Sequence, residues 1–290
     1  TSQATLYITV LGSGANDPRA TDDSSNLSTS AGLSGGPALE EGGTSNGTAG
    51  ADAIGNILSN DTTPAGTNVV VSAAKDGTFV TPTSGVITLN GTYGTLYLYT
   101  SAGTYSSVVR SAGDYLYVVE NSNTTVQALN AGDTLTDSFR YRIENGQTSS
   151  TSASLFDIAS LSVVIKGADD APVAVNDAAT ALEAGGVDNT VPGFNPSGNV
   201  LPNDTDIDNT NSQLTVASVR IGSTEGSGTA GSLSGNTMTL VGSYGTLRMN
   251  TDGSWSYEVD NANTTVSALS STSPDLTEYF NYSVTDPNGL

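Results

Sequence analysis

The chain states one passage twice, and this repetition limits its fold more tightly than its composition does. Glu40-Glu-Gly-Gly43 returns as Glu183-Ala-Gly-Gly186, and Gly55-Asn-Ile-Leu-Ser-Asn-Asp61 as Gly198-Asn-Val-Leu-Pro-Asn-Asp204, both at an offset of 143. Tyr93-Gly-Thr-Leu96 returns as Tyr244-Gly-Thr-Leu247 at offset 151. Gly113-Asp-Tyr-Leu-Tyr117 and Asn123-Thr-Thr-Val126 return as Gly253-Ser-Trp-Ser-Tyr257 and Asn263-Thr-Thr-Val266 at offset 140. Phe139-Arg-Tyr-Arg-Ile143 returns as Phe280-Asn-Tyr-Ser-Val284 at offset 141. Blocks that recur in the same order mark one fold used twice. The drop from 151 to 140 places an 11-residue insertion in the first copy, near 101–110.

Each copy reads as all-β. Short alternating runs are divided by Gly, Asn, Asp and Pro, and no long helical period is present. Strands are expected over 4–11, 68–72, 85–89, 94–99, 115–120, 137–143 and 155–165 in the first half. In the second they are expected over 214–221, 237–241, 245–250, 254–259 and 278–285. The fold class is all-β, one fold in two tandem copies, plus an N-terminal strand that completes a neighbouring domain.

The joint between the copies is Gly167-Ala-Asp-Asp-Ala-Pro-Val-Ala-Val-Asn-Asp177. It follows an apolar alternating run, and its Pro cannot donate to a strand ladder. The same order of strand, Gly, acid, Pro and acid pair occurs earlier, from Tyr7-Ile-Thr-Val-Leu-Gly12 to Asp22-Asp23. Residues 1–12 therefore read as a strand of a preceding or neighbouring unit. Residues 13–167 read as the first sandwich, and 168–290 as a second that lacks its last strand. Ala4, Leu6, Ile8 and Val10 would meet Phe280, Tyr282 and Val284 of another copy, head to tail. The alternative is a slice cut from a longer tandem array, in which that strand is supplied covalently. The chain does not begin with Met and reads as such a slice or a mature fragment.

Composition removes whole classes of function. The 29 acids against 8 bases give a net charge of −21. That disfavours nucleic acid, whose backbone needs Lys and Arg, and it favours divalent cations. There is no Cys and no His, so thiol chemistry, disulfides and the commonest general base are absent. No apolar run is long enough to insert in a membrane. An internal Lys–Asn isopeptide bond would need a buried Lys, and Lys75 and Lys166 both lie in the first copy. No nucleophile or phosphate-loop motif stands in a suitable context, so no enzyme is expected. The balance suits an extracellular or surface protein of a bacterium.

Tyr244-Gly-Thr-Leu, Asp252-Gly-Ser-Trp-Ser-Tyr257, Tyr282-Ser-Val-Thr-Asp-Pro-Asn-Gly289 and the Asp-Asp-Ala-Pro joint resemble the VCBS-type repeat. The first copy departs, with Tyr115 at the place of Trp255 and Ala112 at that of Asp252. The resemblance implies a cadherin-like or immunoglobulin-like sandwich, strung in tandem in large secreted bacterial adhesins, surface proteins and biofilm matrices.

The leading candidate site is Asn203-Asp204-Thr-Asp206-Ile-Asp208-Asn209. Alternate oxygens of such a loop can converge on one Ca²⁺. The loop lacks the Gly and Glu of an EF-hand, and a solvated acidic turn is the plainer reading of the same residues. It also resembles the Asp-x-Asp of cadherin-like joints. By that resemblance Asp206 and Asp208 join Asp169, Asp170 and Asn176, with Glu183 reaching in from the first strand. Asp177 and Asp204 complete the candidate metal set. The first copy lacks the second and third acids of the loop. Trp255, Tyr257 and Tyr244 are expected in the core. The tyrosines around the insertion form either a contact surface or an ordinary hairpin. The partners expected are copies of this chain, or, in an alternative role as an adhesion module, host or matrix glycans.

Overall fold

The computed structural model describes residues 18–25, 36–62, 69–144 and 156–290. The segment Ala4–Val10 lies outside them. The described residues divide into two compact units. The first comprises those up to Glu41 and from Ala49 to Ala168; the second comprises Gly42–Thr48 and Asp169–Leu290.

The strands of the first unit are β1 (Asp23–Ser24), β2 (Ala38–Leu39), β3 (Ala53–Asn56), β4 (Val69–Ala74), β5 (Val86–Asn90), β6 (Gly94–Tyr99), β7 (Gly103–Tyr105), β8 (Val108–Arg110), β9 (Asp114–Val119), β10 (Thr134–Glu144) and β11 (Phe156–Lys166). One sheet has the order β1-β11-β10-β4, with β2 also on β11, and the other β3-β9-β6-β5. Phe139, Tyr141 and Ile143 alternate along β10, and Leu161, Val163 and Ile165 along β11. They pack in one core with Leu96 and Leu98 of β6 and Tyr115 and Tyr117 of β9. Two-residue periodicity thus becomes a two-layer sandwich. The insertion is the hairpin β7–β8, whose turn residues Ser106 and Ser107 both have positive φ, 47° and 68°.

The second unit has β12 (Ser197–Asn199), β13 (Thr215–Ile221), β14 (Ser232–Ser234), β15 (Thr237–Val241), β16 (Gly245–Asn250), β17 (Ser254–Val259) and β18 (Phe280–Thr285). One sheet is β12-β17-β16-β15-β14, and the other pairs β13 with β18. Its core holds Val216, Val219, Leu240, Leu247 and Met249. Trp255, Tyr257, Phe280, Tyr282 and Val284 are only partly buried against it.

The repeated residues do the same local work in each unit. Asn56 Oδ1 accepts the Leu58 N–H at 2.9 Å, and Asn199 Oδ1 the Leu201 N–H at 2.8 Å. Asn123 accepts from Thr125, capping a one-turn helix (Thr124–Gln127), and Asn263 accepts from Thr265. These Asx contacts satisfy turn donors that no strand would satisfy.

A second shared device pins a hairpin to the sheet. Asp137 accepts from the Thr92 N–H, the Tyr93 N–H at 3.0 Å and the Tyr117 hydroxyl at 2.6 Å. Glu278 takes the matching Ser243 N–H, the Tyr244 N–H at 3.0 Å and the Tyr257 hydroxyl at 2.7 Å. Lys75 adds an ion pair to Asp137 and lies over the Phe139 ring at 4.9 Å. Burial opposes charge on Asp137, but Lys75, Tyr117 and the two backbone donors outweigh it and hold its carboxyl below the usual range.

Candidate cation site

Five carboxylates meet at the entrance of the second unit. Asp169 and Asp170 open the unit, Asp206 and Asp208 come from the loop before β13, and Asp286 follows β18. The Asp170 N–H donates to Asp208 Oδ2 at 2.7 Å. Asp206 Oδ1 accepts the N–H groups of Asp208 at 2.8 Å and Asn209 at 2.9 Å, closing an Asx turn that fixes the Asp-x-Asp spacing. Asn288 Nδ2 donates to Asp169 Oδ1. Asp286 Oδ1 accepts from the backbone of Asn288 at 2.8 Å, Gly289 at 2.6 Å and Leu290 at 3.1 Å.

The electrostatics tie these acids into one group. Burial raises the Asp169 carboxyl, and Asp286 and Asp206 raise it further. Burial raises Asp170, with Asp206 and Asp169 adding to it. Asp208 is raised to about 6 by burial and then by Asp170, Asp206 and Asp169. Asp170 and Asp286 are 5% and 4% exposed. One oxygen each of Asp170, Asp206 and Asp286 is buried without a hydrogen-bond partner. Buried polar atoms are normally satisfied, so each orphan oxygen calls for an explanation.

Hard oxygen donors of this kind fit Ca²⁺ chemically. Among the described residues, no set of three or more acidic side chains stands as a finished metal cage. The orphan oxygens fit a cation, but the carboxylates would have to draw inward around it.

The expected ligands separate into two groups. Asp169, Asp170, Asp206 and Asp208 come together. Asp177 and Asp204 instead meet at Tyr282: its hydroxyl lies 2.9 Å from Asp177 Oδ2 and 3.4 Å from Asp204 Oδ1, while the Val175 N–H donates to Asp204 Oδ1 at 2.7 Å. Burial raises the fully buried Asp204 carboxyl, and Asp177 adds to it. Asn176 is exposed. Glu183 stands where the first unit has Glu40, which is 0% exposed and accepts the Ala168 N–H at 2.8 Å. That position anchors backbone leaving a closing strand, and no contact among the described residues ties Glu183 to the five acids. Sequence reasoning missed Asp286. Its signal was the Asp286-Pro-Asn-Gly289 turn, an acid followed by residues that hand it backbone N–H groups.

The first unit carries the twin of the Tyr282 group. The Tyr141 hydroxyl lies 2.8 Å from Asp23 Oδ2, 3.0 Å from the Thr21 carbonyl and 3.3 Å from Asp61. The Thr21 N–H donates to Asp61 at 2.7 Å, as that of Val175 does to Asp204. Burial lifts Asp23 to about 7 and Asp61 to about 6.

Sandwich layers, a twice-used tyrosine–carboxylate corner and an acidic entrance with an Asp-x-Asp turn are now in place. Residues 169–290 match the family model of the bacterial cadherin-like domain. No curated protein matches the chain. The cadherin-like domain is a structural, adhesion-type fold, and the first unit shares the architecture through the pairs Tyr141/Tyr282, Asp61/Asp204 and Asp137/Glu278. No helix among the described residues is long and apolar enough to cross a membrane.

Proposed function

We propose that the chain is a structural subunit of an extracellular bacterial filament or cell-surface adhesin, in which cadherin-like sandwiches are strung head to tail. Calcium at the entrance of the second unit stiffens the string. The observation that carries this reading is the group of Asp169, Asp170, Asp206, Asp208 and Asp286, in which one oxygen each of Asp170, Asp206 and Asp286 is buried without a hydrogen-bond partner. Left bare, these carboxylates repel one another and lose hydration; a divalent cation would remove both costs. Asp169, Asp170 and Asp206 would hold the ion with Asp286, and Asp208 would orient Asp170 through its backbone. The ion supplies charge and fixed coordination, so entrance, loop and β18 move together once it binds.

The sole Trp, Trp255, lies in β17 of the second unit and reports on that unit alone. Calcium at a hundred times its Kd would stabilise the unit by about 2.7 kcal/mol. Melting followed by Trp255 fluorescence should therefore rise by about 10 °C with calcium and fall back with chelator. The same melting temperature in both conditions would refute calcium stiffening.

A further inference from the structure

The carboxylate that pins the hairpin of the first unit also faces an amine. Lys75 follows β4, and Asp137 lies on β10, the strand paired with β4. Lys75 Nζ meets Asp137 Oδ1. The Asp137 side chain is fully buried, and that of Lys75 is 19% exposed. The Phe139 ring covers Nζ, with its centroid 4.9 Å away. The other carboxylate oxygen, Oδ2, receives three donors: the Thr92 N–H at 2.9 Å, the Tyr93 N–H at 3.0 Å and the Tyr117 hydroxyl at 2.6 Å. Gly91 makes room for that approach, since a Cβ there would strike Oδ2.

We propose that Lys75 and Asp137 condense into an isopeptide bond, an amide between Nζ and Cγ that ties β4 to β10. One oxygen meets the nucleophile while the other sits among donors, which is the arrangement that acyl transfer requires. The pair starts as ammonium and carboxylate. Lys75 passes one proton to Oδ1, and two buried charges become a neutral amine and a neutral acid. The amine lone pair then forms the Nζ–Cγ bond, and negative charge gathers on Oδ2 among Thr92, Tyr93 and Tyr117. Oδ1 takes a second proton from Nζ, the Cγ–Oδ1 bond breaks, and one water leaves. Oδ2 remains as the amide carbonyl oxygen. Holding amine and acid in contact favours the bond, because such placement is equivalent to an effective concentration of about 10⁵ M or more.

The second unit supplies the contrast. Glu278 takes donors of the same kind, but divided: Oε1 accepts the Ser243 and Tyr244 N–H groups, and Oε2 the Tyr257 hydroxyl. Gly242 makes the same room there. Both lysines of the chain lie in the first unit, so Glu278 has no amine to meet. A carboxylate cradle alone therefore suffices to hold the hairpin, and the lysine set against it is peculiar to the first unit. The amide closes the chain between Lys75 and Asp137 into a covalent loop, which a pull on the ends of the unit could not extend. The bond depends on neither calcium nor the assembly of subunits.

Intact-mass spectrometry of the full chain, folded and then denatured just before measurement, tests the proposal. The chain should be lighter than its sequence by one water. A tryptic digest should show no cut after Lys75 and should yield a branched peptide joined through Lys75 and Asp137. Lys75→Arg keeps a positive charge beside Asp137, but a guanidinium stays protonated and does not attack. That variant should show the full mass. A full-mass unsubstituted chain would overturn the proposal. So would a water loss that Lys75→Arg retains, or one that maps as a succinimide to Asp76-Gly77 or Asp252-Gly253.

Discussion

Tyr141 faces more acceptors than one hydroxyl can serve. Its single proton lies within reach of Asp23 Oδ2 at 2.8 Å, the Thr21 carbonyl at 3.0 Å and Asp61 at 3.3 Å. Burial carries the Asp23 carboxyl to about 7, and the neighbouring Asp61 adds to it, against the Tyr141 hydrogen bond, which lowers it. Tyr141→Phe leaves buried acceptors without a donor and should cost about 1–3 kcal/mol in urea unfolding; no change would show that the hydroxyl is idle. The acids give a further expectation. Asp23 at about 7 and Asp61 at about 6 both lie above the unfolded carboxylate value, so the folded unit holds protons that the unfolded chain releases between about pH 4 and 7. Stability of the first unit should therefore increase as pH falls from 8 to about 5, and Asp23→Asn should flatten that slope. A loss of stability over the same interval, read by calorimetry, would contradict it. Sequence paired Tyr141 with Tyr282 through the repeat and set Tyr282 among the interface residues. It gave no sign that their hydroxyls gather carboxylates, because Asp23 and Asp61 reach Tyr141 from far along the chain.

The long strands were legible because their alternation carries the signal. Gly94–Tyr99, Thr237–Val241, Gly245–Asn250 and Ser254–Val259 lie where expected. The two-residue strands β1 and β2 were not, since a pair of residues has no period and both owe their state to β11. The insertion is a hairpin, with the Tyr105 ring 4.7 Å from that of Tyr99. Of the tyrosines around it, Tyr99, Tyr115 and Tyr117 are buried, whereas Tyr97 and Tyr105 are half-buried. The aromatics of β9 and β17 sit against glycines on the neighbouring strand. A Cβ at Gly55 would come within 2.7 Å of the Tyr115 ring, and one at Gly198 within 3.2 Å of Trp255. Gly55→Ala should therefore cost about 1–3 kcal/mol and Gly198→Ala less, since Trp255 is only partly buried and can yield. Equal costs in chemical unfolding would mean that the aromatic seat does not set the difference.

Across the whole molecule, the repeat made the two units legible and left their difference visible. The first unit is closed by β11 and pairs its central acid with Lys75. Among the described residues the second shows neither, and it gathers acids at its entrance. The Asp-x-Asp turn was readable because its spacing is local. The assembled group was not, because Asp169, Asp206 and Asp286 meet only after folding. Protons and calcium compete at Asp169 and Asp170, whose carboxyls burial raises, and Asp208, which orients Asp170, is itself raised to about 6. Calcium affinity should weaken as pH drops from 8 to about 5.5, and a pH-independent Kd would argue that the ion binds elsewhere.

The measurement that tests this account most directly is titration calorimetry of calcium into the full chain at neutral pH, beside Asp170→Asn and Asp206→Asn. The account predicts saturable binding that either substitution weakens about tenfold or more, and far weaker binding of magnesium, which demands a stricter octahedron. Absence of binding heat in the unsubstituted chain, or equal affinity in all three proteins, would contradict it.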